Sequence, residues 1–227
     1  MAESNNKGLL VGAMLVVGLL VGGGVGYAAA NMDGETASNS SNSSMAATTD
    51  TKAANLRVVL NNLEAEHVDL ASAATRAGFD GSPMFEAAGA SLDENSVALS
   101  KAVGSVYGEE AEAKFLEIWR SHITFFVNYT VAAKAGDQAG MDKAVSDLNG
   151  YVSAISDLLG GATGLPKEAV ASLVTEHVGL LKSAVDMHGA GDYAGSYKAQ
   201  HDAREQITTK IADTLAGAIV KQNPDKF

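Results

Sequence analysis

KFLEIWRSHITFFVNYTVAAKA, residues 114–135, holds the single Trp of the chain and one His, set among apolar residues at helical spacing. Its His122 stands 55 residues after His67 and 55 before His177. Other identities share that offset. Ala135-Gly136-Asp137 recurs as Ala190-Gly191-Asp192, Ala139-Gly140 as Ala194-Gly195, Lys143-Ala144 as Lys198-Ala199, and Asp147 as Asp202. Several identities at one fixed period are the mark of a duplicated supersecondary unit.

Working outward, each unit reads as a helical hairpin. In the first, Leu56, Val59, Leu63, His67, Leu70 and Ala74 fall three and four apart, one face of a helix. Gly78 to Ser82 breaks it, and Ser82-Pro83 is expected to start a second helix that runs to about Tyr107 and stops at Gly108. The second unit pairs Glu109–Ala135 with Asp137–Leu159, Asp137 capping the incoming helix directly after Gly136. The third pairs Pro166 to about Ala190 with Asp192 to about Val220. Sustained alternation of the kind a strand needs is missing. The expected fold is all-α: six helices in three repeated antiparallel hairpins of about 55 residues, preceded by an N-terminal transmembrane or signal helix.

That preceding segment, Gly8 to Ala30, carries no charge over 23 residues, and about 20 apolar residues span a bilayer as a helix. Gly8, Gly12, Gly18, Gly22 and Gly26 give small-xxx-small spacings suited to packing in lipid. The expectation is a single-pass membrane anchor, with residues 1–7 a short cytoplasmic N-terminus. A signal peptide cleaved near Ala30, giving a secreted protein, is the alternative. Lys7 is followed by no basic residue until Lys52, which places the rest outside the cytoplasm. Residues 31–52 are rich in Ser, Thr and Asn and read as a disordered tether, with 53–227 as an extracytoplasmic helical domain.

The formal charge of −11 and a pI near 4.8 leave no basic patch for nucleic acid. With no Cys, disulfides, thiolate metal sites and Cys nucleophiles are excluded. Neither a G-x-S-x-G elbow, nor H-E-x-x-H, nor a phosphate loop occurs.

The histidines are the remaining candidates. Leu63, Ile118 and Leu173 lie four residues before them and Leu70, Phe125 and Leu180 three after, so each His should point inward. The expectation is packing and hydrogen bonding, with no cofactor; the alternative is a metal site for copper or zinc at His67, His122 and His177, or haem ligation. Imidazole nitrogens share an ion at roughly 2.0–2.1 Å each, so two of these rings approaching within about twice that distance would favour ligation. A di-iron site fails, because the partners of Glu64-x-x-His67 are Trp119 and Val174. A hemerythrin-like site lacks its second His with a following Asp, although His201-x-x-x-Glu205 is present. Glu66 and Glu176 adjoin histidines but lie about 100° away around the helix. Arg120 is expected to pair with one of them, and Trp119, Phe125, Phe126 and Tyr129 are expected in the core.

The strings Glu66-His67, Trp119-Arg-x-His122 with Phe125-Phe126-x-x-Tyr129-Thr130, and Glu176-His177 with Gly191-Asp192-Tyr193 resemble a family of exported bacterial helical proteins, some joined to copper amine oxidase-like domains. The resemblance covers about residues 55–222. It implies the helical fold and no catalytic residue, the copper belonging to the neighbouring domain. Another His would be looked for where Gln206 and Ile207 stand. The sequence thus reads as a membrane-tethered binding or structural module and not an enzyme, with a possible protein partner at the cell surface. Its alternative is a metal- or haem-binding bundle.

Overall fold

A computed structural model of the protein describes residues 51–227. The expected anchor and most of the expected tether lie outside the described residues. Among those described, no helix is long and apolar enough to cross a membrane, and no strand occurs.

Six helices follow one another. They are α1 (Lys52–Asp80), α2 (Phe85–Tyr107), α3 (Glu109–Ala135), α4 (Gln138–Thr163), α5 (Lys167–Gly189) and a sixth rod of three segments. The rod comprises α6 (Tyr193–Gln206), a π-helical turn (Ile207–Ala212) and α7 (Asp213–Gln222). Sequence neighbours pack side by side, and α1 also lies against α3, α5 and the whole length of the sixth rod. That places α1 at the centre of the bundle.

The turns follow from local chemistry. Gly136 takes φ 67°, a left-handed conformation that costs L residues energy but not glycine, and its N–H and that of Asp137 close the last turn of α3. Asp137 then accepts from Gly140 N, capping α4. At the α5–α6 corner Gly191 has φ 79° and Asp192 accepts from Gly195 N. The first hairpin differs from expectation. Gly81, with φ 69°, ends α1, and Ser82 accepts from Met84 N inside the turn. Ser82-Pro83 is therefore a connector, and α2 begins two residues later, at Phe85.

Burial also corrects the reading of α1. Leu60, Glu64, His67, Val68 and Ala74 are buried, whereas Val59 is 45% exposed and Leu56, Leu63 and Leu70 are only partly covered. The inward face is rotated from the expected stripe toward Glu64, because α1 is packed from several sides and the flanking leucines meet neighbours at its edges. Asn95 ties α2 to this helix, its Nδ2 donating to Leu63 O at 3.0 Å and to Glu66 Oε2 at 2.9 Å. One core cluster gathers Leu99, Phe115, Trp119, Tyr151, Ile155 and Val174; a second gathers Val68, Phe126, Leu148, Leu181 and Ile207. Trp119, Phe126 and Tyr129 are buried as expected, and Phe125 is half-buried against both clusters.

Arg120 does not reach Glu66 or Glu176. Its guanidinium grips Asp93 of α2 through two bonds of 2.7 and 2.8 Å. Glu176 pairs instead with Lys210 of the π-helical turn at 2.8 Å. The neighbouring helix, and not the adjacent residue, decides each partner.

Candidate functional site

All three repeated histidines point into the bundle: His67 is 1% exposed, His122 5% and His177 8%. They meet at one internal chamber of about 40 Å³. Its wall takes Glu64 and His67 from α1, Trp119 and His122 from α3, and Val174 and His177 from α5. Each pair is an i, i+3 couple, which shares a helix face. Tyr151 and Ile155 of α4 and Ile207 and Ile211 of the π-helical turn also line it, among other apolar side chains.

The chamber is built of aromatic rings. His122 stacks on Tyr151 with centroids 4.5 Å apart and meets Trp119 edge-on at 4.7 Å. His67 lies 4.9 Å from Trp119 and 5.3 Å from His122. The Nε2 atoms of His67 and His122 are 3.4 Å apart, inside the separation at which two imidazoles can share an ion. Ordinary N–H hydrogen bonds are shorter, near 2.9–3.0 Å.

His177 is held differently. Gln206 Nε2 donates to Leu173 O at 2.9 Å, which turns its Oε1 to His177 Nδ1 at 3.1 Å. An amide oxygen only accepts, so Nδ1 carries the hydrogen and Nε2 keeps a lone pair.

Several polar atoms here find no partner within the protein: Glu64 Oε2, His67 Nδ1, Trp119 Nε1 and His177 Nε2. Buried polar groups are ordinarily paired, and each unpaired one costs about 1–3 kcal/mol. Such a set around one chamber is the strongest local feature of the molecule.

Burial governs the electrostatics. It pushes the Glu64 carboxyl up to about 8, since the charged form would be cut off from water. It also holds His67 well below its usual value, with His122 and His177 adding repulsion. His122 falls to about 3 through burial and then through His177, against the opposing pull of the Trp119 backbone. His177 falls to about 4 by burial, with the Gln206 bond opposing. Near neutral pH the chamber therefore holds a protonated acid and neutral imidazoles, the form in which imidazole ligates metals. Tyr151 is pushed well above its usual value, by burial and then by Glu64.

The other histidines stay apart. His188 contacts Asp80 at 2.8 Å beside Phe79, and His201 lies exposed, 4.0 Å from Glu205. Among the described residues no three His, Cys, Asp or Glu side chains stand ready as a complete ligand set. The structure thus assembles His67, His122 and His177 around one chamber, with two of them at ligand spacing.

Sequence reasoning missed Glu64 and Gln206 as parts of the site. Glu64 was visible only as the acid of Glu64-x-x-His67, without a counterpart in the other hairpins. Gln206 occupies the place where another His was sought, and it serves as the partner of His177.

Compared with known protein families, with characterised proteins and with solved structures, the chain matches none.

Proposed function

We propose that the protein is a membrane-tethered, extracytoplasmic binding module, not an enzyme, built from three repeats of about 55 residues. Its binding site is the chamber enclosed by Glu64, Trp119 and the three histidines. The unpartnered buried polar atoms of those residues carry this reading. A fold that served packing alone would be more stable with apolar side chains at those positions. The repeat rests on the offset of 55 and on the two Gly-Asp corners, in both of which a left-handed Gly (φ 67° and 79°) precedes an Asp that caps the next helix. Anchoring rests on the uncharged run Gly8 to Ala30.

Size restricts what is bound. A water needs roughly 10–15 Å³ measured in this way, so a chamber of about 40 Å³ suits a single ion or a few waters. A haem is far too large for it. Native mass spectrometry of the full-length protein released from detergent tests the reading. A small bound mass is expected in the wild type and not in Val174→Leu, whose extra methylene enters the chamber. If the wild type binds none of a panel of added ions and small polar solutes, the chamber is a structural element only.

A further inference from the structure

We propose that the chamber is a zinc(II) site, with His67 and His122 as its preformed ligands and His177 and Glu64 completing the shell. This rests on reading the chamber as the binding site and names what it takes.

The distance between two nitrogens fixes the angle they subtend at a shared ion. With metal–nitrogen bonds of about 2.0–2.1 Å, the 3.4 Å separation of the two Nε2 atoms corresponds to roughly 110°, the tetrahedral value. Right-angle coordination of the tetragonal kind favoured by copper(II) would need about 2.9 Å at the same bond length. Zinc imposes no geometry of its own and is most often tetrahedral, so the spacing fits zinc better.

Without an ion the contact is a long hydrogen bond, one ring donating through Nε2–H to the Nε2 of the other. Ligation would move that hydrogen to the Nδ1 of the donating ring, so that both Nε2 lone pairs face the ion.

His177 is prepared for the third position. Gln206, itself pinned to Leu173 O, accepts from Nδ1–H and so leaves Nε2 as the free lone pair. Fixing the tautomer through the far nitrogen is what outer partners of ligating histidines do. Glu64 supplies a fourth donor, since Oε2 is unpartnered and the side chain lines the same chamber. The full set is not yet closed, so binding must draw His177 and Glu64 toward the pair.

A second small cavity of about 30 Å³ is bordered by the same His67 and His122 and by Ser72, Thr75 and Arg76 of α1. The two histidines thus form the partition between it and the chamber.

The experiment uses full-length protein in detergent, stripped with a chelator and titrated with zinc chloride, read by metal analysis and thermal melting. One zinc per chain is expected, with a melting temperature that rises as zinc is added. His122→Gln and His67→Gln should each weaken binding by about 100-fold or more, and Gln206→Leu by about 10- to 100-fold through the loosened His177. His201→Gln should change nothing. Cobalt(II) on the wild type gives a readout that needs no variant: intense tetrahedral visible bands are expected. Failure to retain zinc, retention unaffected by His67→Gln and His122→Gln, or weak octahedral cobalt bands would each overturn the assignment. A non-metal ligand displaced by Val174→Leu would also overturn it while leaving the binding module intact.

Discussion

Gln206 bridges two points one turn apart on α5, donating to the backbone oxygen of Leu173 and accepting from the ring of His177. The side chain is 3% exposed; its bond to His177 is buried and its bond to Leu173 O partly so. The bridge joins the last residue of α6 to the face of α5 that walls the chamber.

Replacing Gln206 with Leu keeps the volume and removes both partners. The Leu173 carbonyl and the His177 Nδ1–H are then left without their bonds, and a loss of about 1–3 kcal/mol is expected. Chemical denaturation of the metal-free protein at pH 7 measures it. A change below about 0.5 kcal/mol would show that water satisfies these atoms equally well.

Metal-free protein should show a stability maximum near pH 6.5. The histidines of the chamber bind protons less well folded than unfolded, His122 near 3 and His177 near 4 against 6.5. Between those values the unfolded chain holds more protons, so stability rises with pH up to about 6.5. Glu64 acts in the opposite sense, near 8 when folded against 4.5. The folded state keeps its proton over that interval, so its contribution falls as pH rises through 8. Three histidines outweigh one acid below pH 6.5, and above it Glu64 acts alone. Melting temperatures from pH 4 to 9 should trace this dome, and Glu64→Gln should flatten its alkaline side.

Glycine substitutions separate backbone strain from space. Gly136 and Gly191 hold positive φ with open space around them, so Ala at either should cost roughly 1–2 kcal/mol, and by similar amounts. Gly150 and Gly179 lie within helices, exposed and with nothing near a new Cβ. Ala there should stabilise by roughly 0.5–1 kcal/mol. Unequal costs at the two corners would argue against a common turn design.

The N-terminal segment is tested by the mature N-terminus. Retention of Met1 or Ala2 in membrane-bound protein is expected of the anchor. Sequencing that begins near Asn31, with the protein released from membranes, would identify a cleaved signal.

Helix number and most boundaries were legible, because glycine and aspartate punctuate the chain where the backbone must turn. Gly108 and the Gly136-Asp137 and Gly191-Asp192 corners fall where the residues place them. The inward direction of the three histidines was legible from helical spacing. What periodicity could not give was rotation to within one residue. On α1, Leu63 and Glu64 are adjacent, and packing from several neighbours, not hydropathy, turned the acid inward. Nor could spacing say that histidines 55 residues apart would meet at 3.4 Å, since that depends on how closely α1 and α3 pack around Trp119. The partners of Arg120 and His177 were likewise set by helices remote in sequence.

The π-helical turn carries a consequence for how the chain tolerates change. Up to its first residue, Ala203 and Ile207 pack with Val68 of α1; from its last residue on, Ala212 and Ala216 pack with Leu60 of the same helix. A π turn accommodates about one extra residue in an otherwise α-helical rod. Deleting a single residue between 207 and 212 would restore regular winding and leave the two halves of the rod in phase, because the steeper rotation of about 100° per residue in an α-helix makes up for the residue lost. The closing end of the bundle around Ile219 and the Gln206 clamp would both keep their inward faces. A one-codon deletion in this six-residue window should therefore be less damaging than the same deletion in the middle of α3 or α5, where every residue beyond it would turn by about 100°.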